Sequence, residues 1–332
     1  MISVHRKAAA LRSSSRARRV ALLFAVVAAC ALFAEVLAAD APVIAVGRGG
    51  VHALLAVRER TRYATLTRDA IDALHANDFV VWPLVRQGPD RVAAPRLWPS
   101  SHHPLGTDAE GRDVFASLVY GARAALAPSA LALVLSLGLG VALGGFAATV
   151  GGFWDEVLAR PIEVFQAFPT AVLVALIDAV VPGRSGWVLA LAIAAVRTAE
   201  VARVVRTDAL QILSADHVTA ARALGASWWR VVRRHVWPVA AGPVAVMSVT
   251  TLPSLVILEA CLAYLGLGVP RSWGTMIADG LRQDGSLWSA GWAMAALLLT
   301  VAATQVLAEE VALALSPRTP QAATAQGGSR AS

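Results

Sequence analysis

Apolar and polar positions in this chain fall into long blocks instead of alternating residue by residue. Residues 20–39 form a nearly continuous apolar run broken only by Glu35, and residues 124–150 hold no charge at all. Residues 164–181, 186–201, 239–258 and 287–308 are four further apolar stretches. A helix rises about 1.5 Å per residue, so about twenty residues cross the roughly 30 Å hydrocarbon layer. The blocks therefore predict six membrane crossings. Gly138, Gly140, Gly144 and Gly145 in the second would permit close approach of another helix. Pro169 and Asp178 interrupt the third, and Pro243 and Pro253 kink the fifth; a bundle satisfies the backbone groups that such breaks free. Asp178 either reaches interfacial water or belongs to a transport path. In the fourth, Arg197 and Glu200 lie three apart and either pair on one helix face or leave Arg197 to extend to the membrane boundary.

The intervals between blocks set the organisation. Residues 1–39 read as a basic tail and first transmembrane helix; a basic start and small residues before Asp40 also mark a cleavable signal peptide, but the length of the run favours a retained span. Residues 40–121 are polar, balanced in charge and punctuated by Pro83, Pro89, Pro95, Pro99 and Pro104, with a weak helical stretch at 65–76. They predict a small folded extracytoplasmic insertion ending in a pre-helix segment. Residues 122–318 form the membrane core, with a short charged turn at 154–163 and an apolar bend at 259–268 that continues the fifth helix. The Gln, Gly and Ser content of residues 319–332 predicts a disordered tail.

Composition sharpens this reading. The chain is 57% hydrophobic and only 15% charged, with a mean hydropathy of +0.61; soluble domains carry about a quarter charged residues. The net charge of +7 is gathered in the N-terminal tail and around residues 203–238, where Arg203, Arg206, Arg222, Arg230, Arg233 and Arg234 outnumber Asp208 and Asp216. Such surpluses stay on the cytoplasmic face. Six crossings put both basic regions and both termini there, whereas four or five would separate the basic regions. Neither a zinc spacing nor a nucleic-acid module accompanies the charge, so nucleic acid is not a partner. Cys30 and Cys261 are isolated in apolar sequence, support neither a disulfide framework nor a metal site, and read as buried small residues.

Two polar segments carry candidate chemistry. In residues 208–238, Val218, Ala221, Gly225 and Trp228 recur at spacings of three, four and three, which places them on one helix face. A short helix, small along one side and basic around it, is either a docking piece for another protein or a tight turn beneath the membrane. On the other side, His102 and His103 beside Asp108, Glu110 and Asp113 offer nitrogen and oxygen ligands, but no spacing fixes a metal site. Gly106, Thr107, Asp108, Gly111, Arg112 and Asp113 read instead as a hydrogen-bonded turn at the outer mouth, held by an Asp–Arg pair. Glu259 either braces an outer gate, with Gly266 and Gly268 in the bend beyond it, or is a solvent-facing helix end; Trp273 and Gly274 anchor the following segment at the membrane interface. No phosphate loop of the form GxxxxGK[ST] and no nucleophile–base constellation is present, so the chain reads as neither an ATPase nor another enzyme.

Three stretches are more specific. HPLGTDAEGRDVFASLVYGAR (103–123), HVTAARALGASWWRVVRRHVWP (217–238) and LEACLAYLGLGVPRSWG (258–274) stand in order, and each resembles a characteristic segment of the inner-membrane permeases of the dipeptide and oligopeptide ABC transport family. The resemblance covers about residues 100–318. It implies an all-α polytopic membrane protein with the six-helix importer permease fold (MetI-like), here with an extracytoplasmic insertion, in a bacterial inner membrane. It also implies a second homologous permease, two cytoplasmic ATPase subunits that carry ATP and Mg, and an extracytoplasmic solute-binding protein. No cofactor is implied for this chain itself. The middle stretch resembles the family's EAA region, which enters a cleft on the ATPase; the matching positions are Thr219, Ala220 and Ala221, with Arg222 beside them and Gly225 following. Thr219 stands in place of the motif's acidic residue, so the steric fit is kept while the electrostatic contact is not assured. The implied cargo is a peptide or peptide-like solute, and the long insertion is closer to the oligopeptide or peptide-antibiotic importers than to the shorter dipeptide type. The other classes that six spans admit are an ion-coupled carrier drawing on Asp178 or Glu200 and a membrane scaffold.

Overall fold

A computed structural model describes residues 15–47, 50–53, 59–76, 78–181, 185–282 and 287–315. Helices stand at all six predicted blocks. They are α1 (Ser15–Leu32), with α2 (Ala34–Leu37) as a short continuation; α5 (Val114–Val150); the pair α6 (Gly152–Ala167) and α7 (Thr170–Val180); α8 (Gly186–Leu213); α11 (Trp237–Tyr264); and α13 (Leu287–Leu315). Within them, Val114–Val150, Ala241–Tyr264 and Leu287–Leu313 are each long and apolar enough to cross a membrane alone, and α6 with α7 would make a fourth span bent by 95°. The arginines in α1 and the charges of α8 from Arg197 onward keep those two from qualifying by composition alone, yet both pack into the bundle.

Two apolar clusters hold the bundle together. Leu189, Ile193 and Val196 of α8 meet Ala132 of α5, Val174 of α7 and Leu255 of α11 in the first. Ala122, Ala125 and Leu126 of α5 meet Ala31 of α1, Val256 of α11 and Ala293 of α13 in the second, with Trp273 and Ile277 of α12 (Trp273–Arg282) closing it. The glycines of α5 divide by face. A Cβ on Gly140 would stand 2.5 Å from Val201 Cβ, and one on Gly144 only 2.3 Å from the Ala202 carbonyl oxygen, so these two make the close crossing with α8. Gly138 and Gly145 meet nothing within 4 Å and face outward.

The polar interval folds as a small unit on one end of the bundle. Strands β1 (Ile44–Gly47), β2 (Gly50–Ala53) and β3 (Phe79–Val81) form an antiparallel sheet in the order β2-β1-β3, with Ile44 opposite both Ala53 and Val81. Helices α3 (Arg60–Thr65) and α4 (Arg68–Leu74) pack over it through Tyr63 and Ile71, which join Ala39, Ala41 and Ala45 in one core. Asp40 is the tie that shapes this core: its carboxylate accepts from Gly88 N at 3.0 Å and Arg91 Nε at 2.7 Å, while Arg91 also donates to the Tyr63 and Leu66 carbonyls. The strands escape the hydropathy pattern because strands of three or four residues show too little alternation to read.

Several sequence expectations need correction. Residues 154–163 are not a turn but part of α6, and the break comes at Phe168 and Pro169, because proline disfavours helical geometry in the residue before it. The second span begins at Val114, ten residues before the uncharged run, since Asp113 caps it by accepting from Ala116 N at 2.8 Å; the last eight residues of the 40–121 interval are therefore already helical. Cys261 is exposed on the apolar outside of α11 and Cys30 is half-buried, because hydropathy does not distinguish a lipid-facing position from a packed one. Arg6, Lys7 and Arg12 of the basic tail, and residues 319–332, lie outside the described residues.

Candidate functional site

Chemistry gathers at the two ends of the bundle. At the insertion end, residues 103–113 make a tightly bonded turn. Asp108 Oδ1 accepts from Glu110 N and Arg112 N at 2.9 and 2.8 Å, the Arg112 guanidinium pairs with Glu110 and lies 3.6 Å from Asp108, and Thr107 Oγ1 bridges Leu97 N and the Ala94 carbonyl. Gly111 sits at φ +80° with the Ala93 carbonyl 2.2 Å from where a Cβ would be, and Gly106 likewise presses on the Leu97 carbonyl, so both positions exclude a side chain. His103 Nδ1 contacts Asp113 Oδ2 at 2.8 Å, which occupies the histidine in holding the α5 cap. Among the described residues no three His, Cys, Asp or Glu side chains gather as a metal set.

The segment after α11 docks inward. Trp273 is 2% exposed, and its indole N–H donates to the Leu118 carbonyl at 2.9 Å. Gly121 provides the slot, since a Cβ there would stand 2.8 Å from Trp273 Cδ1. This corrects the expectation of an interfacial anchor: a side chain buried in a slot on α5 fixes α12 to the bundle. Gly274 allows the same approach on the other side, where a Cβ would lie 2.2 Å from the Ala260 carbonyl. Gly266 and Gly268 turn the chain between α11 and α12. Glu259 is fully buried beside Ser272, and among the described residues neither its carboxyl oxygens nor the Ser272 Oγ makes a hydrogen bond of ordinary geometry. The solvent-facing reading of Glu259 is thereby overturned: the helix runs five residues beyond it, to Tyr264, and α12 packs across its outer end.

These elements enclose a cavity of about 370 Å³. Its walls come from the turn (Asp108, Glu110, Arg112), the end of α11, the Pro270–Arg271 bend, α12 with Asp279 and Arg282, and Ser289 at the start of α13. Burial raises the Asp108 carboxyl above the usual range, against the pull of its backbone N–H partners and Arg112. The Asp279 carboxyl is also raised, first by burial and then by Glu110, with Arg112 and Arg282 opposing. Asp279 and Arg282 were not among the sequence candidates. The available signal was that Asp279 is the sole acid between Glu259 and the end of α12.

At the opposite end, α8 emerges from the bundle and turns into α9 (Asp216–Ala223), then α10 (Trp228–Val231) and a π turn (Val232–Val236) that lead back into α11. Val218 and Val231 are fully buried and fix this arm, while Thr219, Ala220, Arg222 and Gly225 are exposed and Ala221 is partly so. Gly225 does not continue the face of Val218 and Ala221: α9 stops at Ala223, and Gly225 sits at φ +83° in the turn beyond it, with nothing within 4 Å of its Cβ position. Trp228 belongs to the next helix. The turn presents Leu224 at 89% exposure, an apolar tip that periodicity missed because a lone leucine before a helix-ending glycine fits no repeat. Behind the arm, Arg206 pairs with Asp155 at 2.5 and 2.7 Å and ties α8 to α6. Arg197 pairs with Glu200 at 2.5 Å, so Glu200 is not a free intramembrane carboxylate; the Asp178 side chain lies outside the described residues.

Residues 140–319 match the family described as binding-protein-dependent transport system inner membrane component. Over 186 residues the chain is 37% identical to the oligopeptide transport system permease protein OppC of Bacillus subtilis (strain 168), covering 55% of this chain and 61% of that one. It is 34% identical over 228 residues to the dipeptide transport system permease protein DppC of the same organism, covering 67% and 71%. A putative peptide transport system permease protein of Brucella suis biovar 1 (strain 1330) is 32% identical over 250 residues, covering 72% and 82%.

Proposed function

The chain belongs to the binding-protein-dependent transport system inner membrane components, and from that premise we propose that it pairs with a second related permease to form the alternating-access pathway of an ABC importer for peptides or peptide-like solutes. It is a multi-pass protein of the inner membrane. Both termini and the α9 arm face the cytoplasm, a placement supported by the arginines around residues 203–238 and in the N-terminal tail. The insertion faces outward, where a solute-binding protein delivers cargo. Peptide cargo is supported by the chain's similarity to oligopeptide, dipeptide and peptide transport system permeases.

The observation that carries this reading is the arm itself. A helix with one buried anchor, Val218, and an exposed surface of Thr219, Ala220, Arg222, Leu224 and Gly225 is stable against its own chain yet leaves an apolar tip bare. A partner that covers Leu224 and meets Arg222 with a carboxylate fits it, and the two ATPase subunits, which hold ATP and Mg, are that partner. Their closure pushes on α9. Helix α8, about 42 Å long at 28 residues, carries the displacement to Val201 and Ala202, where Gly140 and Gly144 couple it to α5. Helix α5 in turn holds Asp113 and the Trp273 slot at its far end, so movement of the arm reaches the outer mouth through packed backbone.

The test is purification of the intact complex and its reconstitution in proteoliposomes. Peptide- and binding-protein-dependent ATP hydrolysis with uptake is the expected result. Uptake driven by an ion gradient without ATP, or purification without any ATPase, overturns the reading.

A further inference from the structure

The cavity at the insertion end contains more acid than its own chain neutralises. Three carboxylates line it, Asp108, Glu110 and Asp279, against Arg112, Arg271 and Arg282. Arg271 is taken up by Asp90, which lies outside the lining. Arg112 is shared between Glu110 and Asp108, and Arg282 donates to the Tyr264 carbonyl at 3.4 Å. Asp279 is left with no hydrogen bond or salt bridge among the described residues, although it is half-buried and faces the same cavity.

The geometry points to a subsite for a primary ammonium group, with Asp279 as its counter-charge and Glu110 across the cavity, so that the outer mouth of this chain receives the amino terminus of a peptide. This rests on the importer reading and names the part of the solute the chain contacts first. An ammonium offers three donors and no acceptor, which suits a site rich in carboxylate oxygen. A divalent metal does not suit it, because calcium and magnesium take six or more oxygen ligands and among the described residues no three His, Cys, Asp or Glu side chains gather as a metal set. The volume of about 370 Å³ falls in the range of small-molecule pockets, roughly 300–1,000 Å³, and admits one or two residues of a peptide. The remaining wall is small or flexible and apolar at Val114, Ala263, Met276 and Ala278, a surface that fixes the charged end and places little demand on side-chain identity. The raised Asp279 carboxyl agrees with this: burial and Glu110 make its negative charge costly when alone, and an ammonium between the two acids removes that cost.

The experiment uses the permease–ATPase complex in nanodiscs without the binding protein, titrated with trialanine and with N-acetyltrialanine. Wild type is expected to bind the free amine about tenfold more tightly than the acetylated form. Asp279→Asn is expected to weaken trialanine to the level of the acetylated peptide and leave the latter unchanged, while Asp279→Glu keeps the preference. Thermal unfolding of each variant separates loss of the site from loss of the fold, with Glu110→Gln as a second probe if Asp279→Asn does not assemble. Equal binding of both peptides by wild type, no detectable binding, or an amine preference that survives both substitutions overturns the proposal. So does failure of Asp279→Asn nanodiscs to bind separately added binding protein with the preference intact, which would assign the cavity to a protein partner. Peptide-stimulated ATP hydrolysis in the same nanodiscs after the binding protein is added reports on the importer reading separately, and its presence without amine preference removes only the subsite.

Discussion

Asp279 shows at the scale of one residue how a site is held at the expense of the fold. Its carboxyl is raised above the unfolded value, so its contribution to stability is complete below the ordinary carboxylate range and is lost as pH rises through the raised value. Asp279→Asn is therefore expected to melt higher than wild type at neutral pH and to converge with it in acid, measured by thermal unfolding of the purified complex across that range. A variant less stable than wild type at neutral pH would mean that the carboxylate is paired in the assembled protein. Leu224 makes the corresponding case at the other end. At 89% exposure it contributes little to its own chain, so Leu224→Ser is expected to leave the melting temperature unchanged and to lower peptide-stimulated ATP hydrolysis about tenfold, as loss of a central apolar contact does in other interfaces. Full stimulation in that variant would remove Leu224 from the coupling surface.

Among elements, α5 is the one on which the most depends. It carries the Asp113 cap, the Gly121 slot for Trp273 and the crossing with α8. Arg123 on its outer third also grips α1 and α2, donating to Glu35 at 2.5 and 2.7 Å and to the Ala31 carbonyl at 2.7 Å. Its adjacent glycines give opposite expectations. Gly144→Leu drives a side chain into the Ala202 backbone, so the helix pair must separate, and protein yield and melting temperature both fall. Gly145→Leu meets nothing within its own chain and is expected to fold normally; if the open face of α5 seats the second permease, native mass spectrometry of Gly145→Leu will show that permease lost from the complex. In the turn after α9 the same logic applies to Gly225→Trp. The left-handed backbone costs a side chain about 1–2 kcal/mol, a bulky group there has open space in its own chain, and the expected result is an inserted subunit whose ATPase partners no longer respond to peptide.

For the molecule as a whole, the arrangement of two chemistries at opposite ends requires that α9 and the insertion lie on opposite sides of the membrane. In a variant lacking Cys30 and Cys261, single cysteines at Arg222 and His102 are expected to react with an impermeant maleimide from opposite faces of sealed vesicles. Labelling of both from one side would contradict the six-crossing arrangement and the coupling scheme built on it. The bent pair α6–α7 is the critical segment for this outcome, because α8 enters the bundle from the end at which that pair leaves it.

Sequence alone determined the membrane class, the order of the main apolar blocks, the short helix in the basic loop and the bonded turn at residues 106–113. Each of these follows from local composition: charge deficit over twenty residues, arginine surplus in one loop, and glycine beside aspartate. Tertiary structure decided which face each residue uses. Hydropathy cannot separate an exposed Cys261 from a packed alanine, or an open Gly145 from a Gly144 pressed on Ala202, because both members of each pair favour leaving water. It also cannot bring Asp279 to Glu110, since they stand 169 positions apart along the chain and only the packing of α12 against α5 and α11 sets them on one cavity.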